Sequence, residues 1–223
     1  LTYFVEEKPL GTAGSVKNCA EYLGNEDFLV IGGDCVCDLE LTKAAQAHRQ
    51  SQSQATLILY HHKTPLEYGL VVTDEGGRVE RFVEKPSWGQ VVTDQINTGI
   101  YILSPAAMER VSAGEKTDFG KDLFPAMLKE GVPLLGCPLE GYWCDMGDCQ
   151  AYLDCTRDAL DGKVRLELDL PQREKGIWAA QPIPQGVTLE GPCWIGAGVT
   201  IEKEAVVGPY TVLDRGAQVG EHA

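Results

Sequence analysis

The stretch that decides the fold is residues 28–38, which reads Phe-Leu-Val-Ile-Gly-Gly-Asp-Cys-Val-Cys-Asp. Its first four residues are apolar without polar alternation, which is typical of a strand covered on both faces, so we expect it in the middle of a parallel sheet. Gly32 and Gly33 remove side chains where this strand ends, and Asp34 follows directly. Ligands of open α/β sheets bind beyond the carboxyl ends of the strands. Asp34 is therefore placed either to hold a divalent cation or to cap a turn.

Strand-like and helix-like patterns alternate around this stretch. We expect strands at residues 1–5 and 55–60, and helices at 15–23 and 39–50. Strands that alternate with helices indicate a doubly wound, Rossmann-like α/β domain.

The pattern changes after residue 67. Residues 68–83 predict a hairpin around an Asp-Glu-Gly-Gly turn, and residues 95–103 predict another strand. These strands would form a small mixed sheet that covers a cleft. Short helices and strands are expected to follow, ending in a helix at 150–160.

The last quarter of the chain is periodic. Aliphatic residues recur every six positions, at Ile183, Leu189, Ile195, Ile201, Val207, Leu213 and Val219. One aliphatic residue per six is the period of a parallel β-helix, and we expect the left-handed form. The predicted domains are 1–160, a charged linker at 161–176 and the β-helix at 177–223. A short solenoid cannot bury its own end, so we expect self-association through it or a continuation of the coils.

Composition excludes several classes of protein. The chain has 223 residues and a net charge of −14, which argues against broad binding to nucleic acid or to acidic membranes. It contains neither an apolar run near the ~18 residues of a membrane span nor a signal peptide. None of its eight cysteines forms a Cys-x-x-Cys pair, so the usual zinc spacings are absent. A chain of this length does not need disulfides for its stability, and we expect a cytoplasmic protein.

A second acidic residue, Asp145, lies among aromatic and apolar neighbours in Trp143-Cys144-Asp145-Met146-Gly147. A carboxylate in such surroundings needs hydrogen bonds or a cation. Asp34 and Asp145 could together hold one Mg²⁺, which prefers a few protein oxygens plus substrate phosphates.

The stretches that contain Asp34 and Asp145 belong to a series of short motifs along the chain. They are Glu6-Glu7-Lys8-Pro9-Leu10-Gly11-Thr12-Ala13-Gly14, Gly33-Asp34, Tyr68-Gly69, Val83-Glu84-Lys85-Pro86, Asn97-Thr98-Gly99-Ile100-Tyr101 and Trp143-Cys144-Asp145-Met146-Gly147. With them the chain resembles the sugar-phosphate nucleotidyltransferases over about residues 1–160, and most of all the mannose-1-phosphate guanylyltransferases. The family begins with a strand and a glycine-rich loop whose Arg and Lys hold the triphosphate. This sequence starts after that loop, so the α/β domain would be incomplete and we expect little activity from the chain alone.

The resemblance implies a role for each matching residue. The catalytic residues would be Lys85, Asp34 and Asp145, of which the two acids would hold Mg²⁺. The nucleotide would be bound by Glu6, Pro9, Gly11 and Thr12. The sugar phosphate would be bound by Gly69, Glu84, Lys85, Asn97 and Thr98.

Glu6 bears on the choice of base. A carboxylate only accepts hydrogen bonds, which suits the two adjacent donors of guanine, whereas uracil or thymine suits an amide. We therefore expect GTP as the nucleotide, and the resemblance implies mannose 1-phosphate as the sugar substrate. The alternatives are a glucose-1-phosphate uridylyl- or thymidylyltransferase and a regulatory paralogue that binds a nucleotide sugar without catalysis. In some bacterial relatives such a tail leads into a phosphomannomutase-like domain, which we expect as a fusion partner beyond Ala223.

Overall fold

The structure is a computed structural model that describes residues 1–84 and 86–223. They form two compact units. Unit 1 comprises Leu1–Gly33 and Leu39–Glu140, and unit 2 comprises Asp34–Asp38 and Gly141–Ala223. No helix in these described ranges combines the length and the apolar character needed to cross a membrane.

The helices and strands are numbered along the chain. The α-helices are α1 Gly11–Asn18, α2 Ala20–Leu23, α3 Leu41–Ser51, α4 Pro105–Met108, α5 Phe124–Lys129 and α6 Cys149–Leu160. The strands are β1 Phe28–Val30, β2 Cys35–Cys37, β3 Ala55–His61, β4 Leu70–Thr73, β5 Val79–Val83, β6 Gln95–Leu103, β7 Leu134–Pro138, β8 Trp143–Asp145, β9 Gln172–Glu174, β10 Ile177–Ala179, β11 Thr188–Leu189, β12 Cys193–Ile195, β13 Thr200–Ile201, β14 Val206–Val207, β15 Val212–Leu213 and β16 Gln218–Val219. Short 3-10 turns lie at Pro65–Glu67 and Trp88–Gln90, and a π-helical turn at Phe119–Leu123 precedes α5.

Unit 1 is built on one six-stranded mixed sheet. Its order is β5-β4-β6-β3-β7, and β1 also pairs with β6. Only β3 and β7 are parallel; the other pairs are antiparallel. Strand β3 lies between β6 and β7, and its residues Ala55, Leu57 and Leu59 are fully buried and pack with Phe119 and Phe124. The predicted α/β class is confirmed.

The prediction that residues 28–31 lie in the middle of a parallel sheet is wrong. β1 has three residues and pairs antiparallel with β6, with Phe28 opposite Leu103. Phe28 and Val30 pack on the core, whereas Leu29 on the other face is 47% exposed. The longer apolar run at 55–61 forms β3, which has a strand on each side, β6 and β7.

Two further expectations are corrected. Residues 1–5 form no strand, and the Phe4 ring instead lies edge-on to Tyr22 at 5.7 Å between centroids. The predicted hairpin forms as β4 and β5, but it does not make a separate sheet. Leu70 of β4 pairs with Ile96 of β6, which makes the hairpin an extension of the main sheet.

Unit 2 joins a short antiparallel ladder, helix α6 and the periodic tail. β2 pairs with β8, and Asp148 begins α6 by accepting a hydrogen bond from Ala151 N at 2.8 Å. In the tail, β11 pairs with β14, β12 with β15 and β13 with β16, all in parallel. Each residue pairs with the one 18 positions later, as Thr188 does with Val206. Three six-residue repeats therefore separate stacked strands, while closure into a left-handed β-helix stays a prediction.

Candidate functional site

The antiparallel pairing of β2 with β8 brings two predicted acids together in unit 2. Asp145 lies opposite Cys35, and Met146 N donates to the carbonyl of Asp34 at 2.9 Å. Burial raises the pKa of Asp145, and the nearby negative charges of Asp34 and Asp148 raise it further. Asp34 and Asp145, called here the carboxylate pair, are therefore close enough to repel each other.

The carboxylate pair has the character of a cation site. Asp34 is exposed and Asp145 is half-buried, and within residues 1–84 and 86–223 neither side chain has a hydrogen bond or an ion pair. A Cβ on Gly147 would lie 3.7 Å from Asp145 Oδ1, so the backbone passes the carboxylate without blocking it. In the same ranges no third His, Cys, Asp or Glu completes a protein-only metal cluster. Two carboxylates with room for further oxygens fit Mg²⁺, which keeps waters and takes substrate phosphates.

Cys35, next to the pair, is not a candidate ligand. Burial raises its pKa to about 11, and the charges of Cys37, Asp34 and Asp145 act in the same direction. The raised pKa adds to the cost of losing the thiol proton on metal binding, and Mg²⁺ takes oxygen ligands.

Asp38 fixes the far end of β2. Its side chain is only 9% exposed, and it accepts hydrogen bonds from Tyr142 N at 2.7 Å and from Arg165 N at 2.9 Å. These donors lower the pKa of Asp38. The sequence predicted no separate role for Asp38. Its only signal was its place at the end of the second strand, four residues after Asp34.

A second cluster lies in unit 1 at the start of β6. Asn97 Nδ2 donates to the Tyr101 hydroxyl at 2.8 Å, and Asn97 Oδ1 accepts from Gly99 N at 3.2 Å. The backbone N–H of Asn97 donates to the carbonyl of Gly69 at 2.8 Å. These residues, with Glu84, are called the Asn97 cluster. The hydrogen bonds hold the Asn97 amide in one orientation.

Gly69 is required by the close approach of its neighbours. A Cβ at this position would lie 3.0 Å from Glu84 Oε2 and 3.0 Å from the Phe82 ring. Burial raises the pKa of Tyr101 to about 12; the Asn97 hydrogen bond opposes this rise, and the Glu84 charge adds to it. The predicted residues Gly69, Glu84 and Asn97 are thus neighbours, and Tyr101 is the member that sequence reasoning missed. The signal for Tyr101 was its place in the Asn-Thr-Gly-Ile-Tyr motif.

Thr98 points away from this cluster. It is 5% exposed, and its hydroxyl donates to the carbonyl of Ile58 at 2.7 Å. Successive residues of a strand face opposite sides of the sheet, so Asn97 and Thr98 are separated. Lys85, predicted as a catalytic residue, lies outside the described residues.

The predicted nucleotide-binding loop leads into α1. Glu6 Oε2 accepts from Leu10 N at 3.1 Å, and Pro9 is exposed. Gly11 has a φ of +72°, and a Cβ there would lie 2.7 Å from the carbonyl oxygen of Thr117.

The first N–H groups of α1 are already used within unit 1. Thr12 N donates to Asp118 Oδ1 at 3.2 Å, and Ala13 N and Gly14 N donate to the carbonyl of Thr117 at 2.9 and 3.0 Å. A nucleotide would therefore meet side chains and Gly11 here rather than these three N–H groups.

Comparison with known proteins gives a consistent result. Residues 1–162 match the family described as Nucleotidyl transferase. The UTP–glucose-1-phosphate uridylyltransferase of Synechocystis sp. is 32% identical over 227 residues, which cover 95% of this chain and 58% of that protein. The mannose-1-phosphate guanylyltransferase of Mycobacterium tuberculosis is 30% identical over 215 residues, covering 96% and 58%. The chain thus spans 58% of the length of both relatives.

Among solved structures, HddC from Yersinia pseudotuberculosis in complex with GMP-PN superposes with a TM-score of 0.56. It is 28% identical, and the match covers 67% of this chain and 62% of that one.

Proposed function

Because the chain belongs to the nucleotidyl transferase family, we propose that it transfers a nucleotidyl group from a nucleoside triphosphate to a sugar 1-phosphate and releases pyrophosphate. The proposed substrates are GTP and mannose 1-phosphate, and the proposed cofactor is Mg²⁺. The observation that carries the proposal is the carboxylate pair, two like charges held near each other by the β2·β8 ladder. Such an arrangement is unfavourable unless a cation or a proton joins it.

The chemistry needs little acid–base help. The second pKa of a phosphate monoester is about 6, so the sugar 1-phosphate is largely ionised at neutral pH. Its oxygen attacks the α-phosphorus of the triphosphate in line, and pyrophosphate leaves. When bound, the metal neutralises phosphate charge. Asp34 and Asp145 would hold the metal, and catalysis would come mainly from positioning and charge neutralisation.

The Asn97 cluster is the proposed sugar site. After the hydrogen bonds to Tyr101 and Gly99, the Asn97 amide keeps one N–H and one acceptor lone pair for sugar hydroxyls. Glu84 is exposed and would accept from other hydroxyls beside Gly69. We propose that Thr98 supports the strand from its other face rather than touching the sugar. Lys85 keeps its proposed role on the sugar phosphate.

Glu6 supports the choice of guanine. One carboxylate oxygen accepts from Leu10 N, which orients the group and leaves Oε1 to accept from the guanine edge. The relative from Mycobacterium tuberculosis is named a guanylyltransferase, and the HddC structure is titled as a complex with GMP-PN. The second candidate is uridylyl transfer to glucose 1-phosphate, favoured by the Synechocystis relative, which matches over 95% of the chain.

The test is pyrophosphate release by the complete product of the reading frame that encodes this chain. GTP, UTP, dTTP and ATP are each paired with mannose 1-phosphate and with glucose 1-phosphate. We expect release with GTP and mannose 1-phosphate, its loss in Asp34→Ala and Asp145→Ala, and its retention in Asp169→Ala, which removes an exposed carboxylate elsewhere in unit 2. Faster release with UTP would overturn the assignment of the base and keep the reaction. Binding of a nucleotide sugar without any release would overturn the reaction itself.

A further inference from the structure

The periodic tail is tied to the segment that follows α6 by a side-chain hydrogen bond. The Tyr210 hydroxyl donates to Asp161 Oδ1 at 3.0 Å. Tyr210 has a φ of +61°, a left-handed conformation that is uncommon for a residue other than glycine. Such backbone persists where surrounding contacts hold it, so this tyrosine is a defined contact point.

The link continues through Lys163. Its ammonium group lies 3.4 Å from Asp161 Oδ2 and 2.6 Å from Asp158 Oδ1. The two carboxylates are 30% and 27% exposed, so the ammonium bridges partly buried acids at the end of α6. A network of several charges is a surface arrangement that can contribute to stability where isolated surface pairs contribute little.

Tyr142 connects the bridge to the carboxylate pair. Its hydroxyl donates to Asp158 Oδ2 at 3.0 Å. Its backbone N–H donates to Asp38 Oδ1 at 2.7 Å, and its carbonyl accepts from Asp38 N at 3.0 Å. Tyr142 therefore lies where β2 and β8 are fastened together, directly before the strand that ends in Asp145.

We propose that Tyr210 is a positioning residue for the carboxylate pair, acting through Asp161, Lys163, Asp158 and Tyr142. This inference rests on the proposed metal site. Hydrogen bonds in a connected network polarise and orient one another. Loss of the bond between Tyr210 and Asp161 would therefore weaken the one between Tyr142 and Asp38. The position of β8 then sets how well Asp145 and Asp34 face a common cation. The periodic tail thereby contributes to metal affinity although it carries neither carboxylate.

The experiment measures Mn²⁺ binding to the purified 223-residue chain by the electron paramagnetic resonance signal of the free ion. The variants are Tyr210→Phe, Lys163→Met and their combination. Tyr152→Phe is the matched control, because it removes another exposed tyrosine hydroxyl of unit 2 that lies outside the link. The thermal midpoint without metal is recorded for each variant. Asp161→Asn replaces Tyr210→Phe if that variant does not fold.

We expect Tyr210→Phe and Lys163→Met each to weaken Mn²⁺ binding about threefold to tenfold, which lies within the range of about twofold to thirtyfold found for substitutions along coupled networks. The double variant should be no weaker than the worse single one, because both changes cut the same link. Tyr152→Phe should bind as the unchanged chain does.

Mn²⁺ affinity unchanged in Tyr210→Phe, with or without a lower thermal midpoint, would overturn the inference and leave the metal site in place. Additive losses in the double variant would also overturn it. If the unchanged chain binds no Mn²⁺, or if Asp34→Ala binds Mn²⁺ as tightly as the unchanged chain does, the proposed metal site is wrong instead.

Discussion

The Asn97 cluster and the carboxylate pair differ in whether their polar side chains have partners within the protein. In the first, the Asn97 amide and the Tyr101 hydroxyl satisfy each other, and Gly99 N completes the arrangement. In the second, burial and the charges of Asp34 and Asp148 raise the pKa of Asp145, and neither Asp34 nor Asp145 has a hydrogen-bond or ion-pair partner in the described ranges, 1–84 and 86–223. The hydrogen bonds of the first cluster orient it before a ligand arrives, whereas the second would be stabilised by a cation or by a proton.

The largest expected effect separates the clusters by their response to metal. Mn²⁺ at one hundred times its dissociation constant should raise the free energy of unfolding by about 2.7 kcal/mol. Asp34→Ala should abolish this gain, and Asn97→Ala should preserve it. Urea unfolding of the three chains with and without Mn²⁺ measures the difference. An equal gain in all three would mean that the carboxylate pair is not where the metal binds.

The next effect compares two glycines, one beside each cluster. Gly69→Ala forces a Cβ to within 3.0 Å of Glu84 Oε2 and of the Phe82 ring, and overpacking of this kind costs about 1–3 kcal/mol. Gly147→Ala meets Asp145 only at 3.7 Å, so its cost should stay within about 0.5 kcal/mol. Urea unfolding without metal measures both. Equal costs would show that the Asn97 cluster is not tightly packed around Gly69.

A smaller effect tests whether the Asn97 cluster depends on its internal hydrogen bond. Tyr101→Phe keeps the ring contacts with Phe119 and Phe124 but removes the acceptor for Asn97 Nδ2. We expect a loss of about 1 kcal/mol of unfolding free energy. A double variant with Asn97→Ala should cost less than the sum of the two single changes, because both remove one bond. Full additivity would indicate that the two residues act independently.

Short sequence motifs mark residues of both clusters, whereas the order of the strands in the sheet did not follow from the sequence. Asp34 and Asp145 are each marked by a short motif, and the β2·β8 ladder brings them close together, while their role as metal ligands stays a prediction. The sheet order was missed at β1, because an apolar run reports burial but not which neighbour supplies it. Tyr101 and Asp38 were missed for a related reason. Tyr101 acts with Asn97, 4 residues away, and Asp38 acts with Tyr142, 104 residues away. Only the fold reveals the second of these pairs.

The smallest expected effect contrasts the pH response of two acids on the same ladder. The folded-state pKa of Asp145 is raised, so its stabilising contribution is complete below the ordinary pKa near 3.8 and is lost as pH rises through the raised value. Asp145→Asn does not titrate and should therefore become more stable than the unchanged chain between pH 4 and 7. Because solvent screens a half-exposed group, the gain at pH 7 should be about 0.5 kcal/mol.

Asp38 is the counterpart with the opposite sign. Its pKa is lowered by the N–H groups of Tyr142 and Arg165, so it stabilises the fold above its ordinary pKa, and that contribution is lost as pH falls through the lowered value. Asp38→Asn should accordingly be less stable than the unchanged chain at pH 7, and the gap should narrow toward pH 3. Urea unfolding across this range without metal measures both variants. If Asp145→Asn and Asp38→Asn changed the unfolding free energy in the same direction, the proposed difference would be wrong, namely that Asp145 lacks a favourable partner whereas Asp38 already has its hydrogen bonds.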